Sequence, residues 1–267
     1  MYITFQGTAA AEGAPALFCN CKHCRYAREV GGKEIRMRAG SLIDGRLKLD
    51  FGPDAYAQSL RFNQSYSELQ HILITHAHED HFAPDDLKRV TPPDAHRDTV
   101  VHVYGDARVG EKLEPHLQKK NLAFTQVFPF ETYDIGGYRV TPLQAVHAVG
   151  SGEEPLTYII EKDGRRLLYL HDTDFPTEED MAFLRGRRVD MVSMDCTNGI
   201  LNLDYIGHMG IEDNLRLREM LIENGTADAD TVFVANHFSH NGLVAHEELE
   251  KRLPGFIVAF DGLTLTV

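Results

Sequence analysis

The segment Thr75-His76-Ala77-His78-Glu79-Asp80-His81 places three imidazoles and two carboxylates in six consecutive positions. Imidazole nitrogens and carboxylate oxygens at that density suit a borderline divalent cation such as zinc, manganese or iron. In the order His-x-His-x-Asp-His, His76 and His78 converge on one ion while Asp80 and His81 reach a second. A single loop histidine is more often a polar surface residue; this spacing directly after an apolar strand points to metal. A second cluster lies near the N-terminus, where Cys19-Asn20-Cys21-Lys22-His23-Cys24 puts three thiols within six residues. Three thiolates need one more ligand to complete a tetrahedral structural zinc site.

The elements that would position these groups are short and alternate in type. Ser41–Ile43 and Arg46–Phe51 are separated by Asp44-Gly45, a strong hairpin signal. A helix is expected around Asp54–Phe62. The apolar strand His71–Thr75 runs straight into the histidine loop, and Val100–Tyr104 is followed by a polar helix near Ala107–Lys119. The second half repeats the rhythm: strands at Tyr138–Leu143, Leu156–Glu161 and Arg166–Leu170, then a helix at Thr177–Leu184 and a strand at Met191–Met194. A helix at Ile211–Asn224 and a strand at Thr231–Ala235 come next. The chain closes with a strand pair, Phe256–Phe260 and Leu263–Val267, turned by Asp261-Gly262. Two strand-rich halves, each followed by helices, suggest two sheets packed face to face with helices outside. No composition break divides residues 1–267, so one α/β domain is expected, with a small zinc-binding loop at about residues 15–28.

Composition sets outer bounds. The 267 residues are 43% hydrophobic and 25% charged, ordinary for a globular enzyme. A formal charge of −13 argues against broad capture of nucleic acid, whose binding draws on Lys and Arg against phosphates. It leaves room for an anionic substrate, because bound cations present intense local positive charge. No stretch approaches the ~20 apolar residues that span a bilayer, and Met1–Phe5 lacks the features of a signal peptide. A cytoplasmic location is the default expectation, in which the cysteines would stay reduced. Cys196 reads as a buried thiol, and Lys33, Arg36 and Arg38 as solvated surface charges before an anion site.

The His-x-His-x-Asp-His loop resembles the signature of the metallo-β-lactamase superfamily. That resemblance implies a four-layer αβ/βα sandwich, two mixed sheets flanked by helices, with metals at one edge between the sheets. It also implies where further ligands come from. His147, after the strand ending in Gln144-Ala145-Val146, fits the next histidine; Asp172, in His171-Asp172-Thr173, fits the bridging aspartate. His237, after Val232–Asn236, fits the last histidine. The implied set is His76, His78 and His147 on one ion, Asp80, His81 and His237 on the other, and Asp172 between them. Asp50 matches a family carboxylate that orients a ligand histidine. His171 and Asp174 lie near the site without a required role.

His240, three residues after His237, is then a better fourth ligand for Cys19, Cys21 and Cys24 than His23, since adjacent residues rarely reach one ion without strain. The combined pattern, with Gly7-Thr8-Ala9-Ala10 and Pro15 ahead of the cysteines, resembles the cyclic phosphodiesterases of the carbon–phosphorus lyase pathway. Two active-site ions (zinc or manganese, with iron a further option) and one structural zinc follow from it. The expected activity is hydrolysis of a small cyclic or nucleotide-like phosphodiester by a hydroxide shared between the ions. His208, in Gly207-His208-Met209-Gly210, resembles a His-Met element of that group and is the candidate general acid; Asp80 is the other residue placed at the chemistry. Dimerisation is implied by the resemblance alone.

Other readings use the same fold. A β-lactamase is disfavoured because the zinc-bound cysteine of many such enzymes has no counterpart at Asp172. A thioesterase or lactonase would share the metal set and is disfavoured only by the cysteine site. A transfer-RNA-processing ribonuclease would need a basic insertion to grip RNA. An accessory protein resembling the pyrroloquinoline quinone biosynthesis protein would share the cysteine motif without a complete catalytic set.

Overall fold

The structure, a computed structural model, describes residues 1–147, 152–201, 203 and 207–267. Strand β1 (Tyr2–Gly7) pairs antiparallel with β2 (Gly40–Ile43), which turns through Asp44-Gly45 into β3 (Leu47–Leu49). Strands β4 (His71–Leu73), β5 (Val101–Gly105) and β6 (Leu122–Gln126) extend this sheet in parallel. The second sheet begins as an antiparallel meander of β7 (Tyr133–Ile135), β8 (Tyr138–Gln144), β9 (Leu156–Lys162) and β10 (Arg165–Leu170). It continues in parallel through β11 (Met191–Asp195), β12 (Val232–Asn236) and β13 (Phe256–Val258). The chain then returns to the first sheet, where β14 (Leu263–Thr266) pairs antiparallel with β1. Among the described residues this makes two seven-stranded sheets with flanking helices, the αβ/βα sandwich expected.

The closing strand pair is a correction. Phe256 and Leu263 begin strands of different sheets, so Asp261-Gly262 carries the chain across layers rather than around a hairpin. Two contacts hold that crossing: the Asp261 carboxylate accepts from Thr8 Oγ1 at 2.8 Å and from the Met37 amide at 2.7 Å. The vacant edges of β12 and β1 each take one of the two segments, which satisfies more backbone groups than a lone hairpin would.

Alternation along the strands explains the layering. On β10, Leu167 and Tyr169 face the core between the sheets, with Phe5, Leu49, Leu73 and Tyr158. Leu168 and Leu170 face the outer layer. A strand covered on both faces reads as a continuous apolar run, as Leu167–Leu170 does. Of the helices, α1 (Lys22–Val30) carries Cys24, while α2 (Ala55–Arg61) and α3 (Pro84–Leu87) follow β3 and the histidine loop. Helix α4 (Ala107–Leu113) packs Val109 and Leu113 on the outer face of the first sheet. It ends six residues earlier than expected, giving way to a 3-10 turn over Glu114–His116, since Pro115 has no amide to continue an α-helix. Helix α5 (Glu178–Leu184) starts at a capping box of Thr177 and Asp180, worth about 1 kcal/mol. With α6 (Ile211–Glu223) it covers the outer face of the second sheet through Leu184, Leu217 and Leu221. Helix α7 (His246–Arg252) packs beside β13. None of the described helices is long and apolar enough to cross a membrane.

Arg36 is a second correction. Lys33 and Arg38 carry exposed or half-exposed ion pairs with Glu250 and Asp54. Arg36 is instead buried: its guanidinium donates to Thr8 Oγ1, the Ala259 carbonyl and His246 Nδ1, and lies 4.4 Å from the Phe238 ring centre. The planar fork finds enough acceptors there to replace water.

Candidate metal centre

The site residues leave their strands at one edge. Asp50 follows β3, the histidine loop follows β4, His147 follows β8, Asp172 follows β10, Asp195 ends β11 and His237 follows β12. Three of them, Asp50, Asp172 and His237, hold φ values of 58°, 51° and 60°. Non-glycine residues rarely adopt that left-handed conformation, which costs energy the surrounding structure must offset. Each side chain is thereby turned back from its strand end toward the site.

His76, His78 and His147 bring one nitrogen each within 4.8 Å of one another. His147 Nε2 lies 3.3 Å from His78 Nδ1, and His147 Nδ1 lies 3.1 Å from the Gly207 carbonyl. Nδ1–H therefore donates to Gly207, leaving a bare Nε2 to face the site. Asp80, His81, Asp172 and His237 form the second set within the same limit. His81 Nδ1 donates to Asp50 Oδ2 at 2.7 Å, which turns His81 Nε2 toward His237 Nε2 at 3.4 Å. Asp50 is itself buried and accepts from the Thr75 amide and hydroxyl.

Asp172 stands between the sets, with Oδ2 3.3 Å from His76 Nε2 and 2.8 Å from His81 Nε2. His76 Nε2 and Asp172 Oδ1 are buried atoms that no neighbour engages in hydrogen-bond geometry, although charged partners lie close. Two imidazole nitrogens sharing a tetrahedral ion at about 2.0–2.1 Å would stand about 3.3–3.4 Å apart. The paired nitrogens match that separation, so this donor set fits two divalent cations.

Electrostatics agrees at Asp172, Asp80 and His76, whereas at His81 burial is outweighed by the carboxylates of Asp50, Asp172 and Asp80, which raise the pKa. Burial raises the Asp172 pKa, but His237, His81 and His76 outweigh it and hold the carboxyl well below the ordinary range. Burial likewise opposes ionisation of Asp80, and the adjacent His81 outweighs it to pull the pKa down. Burial holds His76 far below the usual imidazole value, which keeps a lone pair for a cation.

His208 joins the centre. Its Nδ1 lies 3.0 Å from Asp195 Oδ2 and 3.2 Å from Asp172 Oδ1. Burial lowers its pKa, but the charge and hydrogen bond of Asp195, with Asp172 behind, prevail and raise it to about 9. Asp172, Asp195, His208 and His237 form a further donor group overlapping the second set. His171, by contrast, is buried against Ser193 Oγ at 2.7 Å and belongs to none of the donor groups; Asp174 caps its own turn.

Asp195 is the residue the sequence reading missed. It is fully buried, accepts from the Thr197 amide and holds His208, while Thr197 Oγ1 contacts His237 Nδ1 at 2.8 Å. Its position at the end of a parallel strand was the available signal. The cavity mouth also includes Glu12, Asn198, Leu201, Leu203, Ser239 and Asn241, and has a volume of about 330 Å³.

The cysteine cluster assembles with His240 rather than His23. Cys19 Sγ and Cys21 Sγ lie 3.6 and 3.5 Å from His240 Nδ1, and Cys24 completes the group. A tetrahedral zinc with Zn–S near 2.3 Å and Zn–N near 2.0–2.1 Å sets S···N at about 3.6 Å. The Cys24 amide hydrogen bond lowers the Cys21 thiol to about 6, favouring thiolate, whereas burial raises Cys24 to about 11. Cys196 is buried, and burial raises its thiol pKa further.

Similarity to known proteins follows this geometry. A diphosphatase of the PhnP family superposes with a TM-score of 0.78 at 22% identity, covering all of this chain and 97% of the other. Zn²⁺-bound PqqB from Methylobacterium extorquens gives 0.75 at 20% identity over the whole of both chains. The short form of human tRNase Z gives 0.68 at 15% identity over all of this chain and 99% of the other. At these identities the likeness is one of fold, and among curated proteins none matches the sequence. The β-lactamase superfamily domain matches residues 46–237, which span the whole dinuclear donor set from Asp50 to His237 and leave the cysteines and His240 outside. The chain belongs to the metallo-β-lactamase superfamily, and the residue groups that could hold metal ions gather at one edge of its two sheets.

Proposed function

We propose that the protein is a dinuclear metal-dependent phosphodiesterase acting on a small diester. The observation that carries this reading is Asp172, held between a set of three imidazoles and a mixed imidazole–carboxylate set, with His208 beside it. His76, His78 and His147 would hold one cation, and Asp80, His81 and His237 the other, with Asp172 shared. Two such cations supply Lewis-acid activation of water and neutralise charge developing on phosphoryl oxygens.

The chain's own residues do the rest. Asp50 and Gly207 fix the ring orientations of His81 and His147, so that Nε2 of each is the nitrogen turned to the cation. A ribose-like alkoxide is a poor leaving group and needs a proton. Asp195 accepts from His208 Nδ1–H and favours the charged imidazolium, so delivery would run from Nε2. Cys19, Cys21, Cys24 and His240 would hold a structural zinc that pins the N-terminal loop to the segment after β12.

The test is hydrolysis of bis(p-nitrophenyl) phosphate beside a thioester and a lactone, after loading with zinc or manganese. Turnover of the diester alone is the expected result. Turnover of the thioester or lactone alone would keep the fold and overturn the substrate class. Stoichiometric metal without turnover of any of them would favour an accessory role.

A further inference from the structure

Among the described residues, Glu12 is the one carboxylate on the cavity wall outside the metal-binding groups, and the mechanism above leaves it unused. It reaches the cavity because Ala9 bridges Phe238 in parallel and the Ala10 amide donates to the Phe238 carbonyl. Those contacts lay the Ala10–Glu12 segment along His237–His240. Its Oε1 accepts from Ser239 Oγ and lies 3.5 Å from His240 Nε2. His240 turns Nδ1 toward the cysteine sulfurs, so Nε2 carries the proton and faces the Glu12 carboxylate. The Ser239 hydroxyl bond, with the His240 ring beside it, holds Oε1 in place, and no described donor reaches Oε2. The group is about 30% exposed.

The rest of the wall gives this carboxylate its meaning. Among the described residues lining the cavity there is no Lys or Arg, and the undescribed residues contain none in sequence. A phosphoryl group therefore finds positive charge only at the metal-binding end. A second anionic group on the same substrate would meet Glu12 with no cation to offset the repulsion. A hydroxyl or ammonium placed there would meet a fixed, charged acceptor, and hydrogen bonds to such groups are the stronger class.

We infer that Glu12 is a specificity-determining residue: it accepts from a hydroxyl or ammonium on the half of the diester that is not cleaved, and it excludes substrates carrying a second phosphate there. The inference rests on the phosphodiesterase reading and names the chemistry of the substrate half which that reading leaves open.

The test compares two probes on the metal-loaded enzyme: adenosine 2′,3′-cyclic phosphate, with a free 5′-hydroxyl, and the same compound bearing a 5′-phosphate. The wild-type protein should show the higher kcat/KM on the hydroxyl form. Glu12→Gln should cut that preference by about tenfold or more, through a higher KM for the hydroxyl form and a lower one for the phosphate form. An unchanged ratio would overturn the inference, whether or not both rates fall. Loss of zinc with an unchanged ratio would assign Glu12 to the support of His240 alone. A third substrate separates the two levels of the argument. If wild-type protein hydrolyses bis(p-nitrophenyl) phosphate and the ratio is unmoved, only Glu12's role fails; if it hydrolyses no diester, the phosphodiesterase reading fails and takes the inference with it.

Discussion

His208 separates two chemistries that share one geometry, because its Nδ1 touches Asp195 and Asp172 while the ring lines the cavity. As a proton donor it contributes to rate and not to metal retention. His208→Ala should lower kcat on a diester by about 10²–10⁴ while metal per chain, read by elemental analysis, stays constant. A drop to one cation would make His208 a ligand of the overlapping donor group instead. Asp50 acts one step further out, through the 2.7 Å bond that sets the ring orientation of His81. Asp50→Asn should weaken the second cation about 10- to 100-fold in a chelator competition titration, with the first unaffected. These residues differ in how visible they are in sequence. The histidines announce themselves by spacing, since three imidazoles crowded into six positions rarely serve anything but a metal. Asp195 and Glu12 do not: the chain has 40 acidic residues, and what distinguishes these two is a strand end and a cavity wall, both products of folding.

At the scale of elements, the histidine loop stays in place because another backbone lies directly against it. Phe51 bridges Phe82, the Phe51 amide donates to the His81 carbonyl, and a Cβ on Gly52 would sit 1.9 Å from the Asp80 carbonyl oxygen. The obstacle is backbone, so no rotamer change relieves it. Gly52→Ala should displace the loop, cost at least about 1–3 kcal/mol in denaturant unfolding and reduce metal affinity at both positions. An unchanged midpoint and full metal content would show that the loop has room to yield. Local signals located most elements, including the Asp44-Gly45 hairpin and the strands that deliver His76, Asp172 and His237. They failed at Asp261-Gly262, because an Asp-Gly turn looks the same whether it closes a hairpin or passes the chain between layers. Which outcome follows depends on the vacant edge of β1, more than 250 residues away in sequence. Strands β1, β6 and β7 also escaped the sequence reading; β7 is only three residues long and too short for alternation to register.

At the scale of the molecule, the contact between Arg36 and His246 is one source of acid sensitivity. His246 Nδ1 accepts from this buried guanidinium at 2.9 Å, so its proton must sit on Nε2, which faces Glu250. Burial, with Arg36 and Lys33 nearby, lowers the His246 pKa to about 4. The unfolded chain, with an ordinary imidazole near 6.5, therefore binds more protons between those values. Stability is lost as pH falls from about 6.5 to 4, and the slope ends below 4. Asp261 acts in the opposite sense: burial raises its pKa to about 6, so the folded state gains protons first as pH falls. His246→Gln keeps an acceptor for Arg36 and removes the titration. Between pH 6.5 and 4 it should lose less stability than wild type, by about 2 kcal/mol across the window in chemical unfolding. Parallel curves for the two proteins would remove His246 from the account.

The return of β14 to β1 also has a consequence in time. Tyr2 pairs with Thr266, so the first sheet keeps an open edge on the growing polypeptide until Leu263–Thr266 have been synthesised. At ordinary elongation rates that interval is roughly ten seconds to a minute. The cysteines and the His76–His81 loop emerge early in it, before His237 and His240 exist to share their ions. Cations captured by the nascent chain before His237 and His240 emerge would therefore sit in incomplete sets, and each set would close only when the segment after β12 folds back onto the loops made long before it.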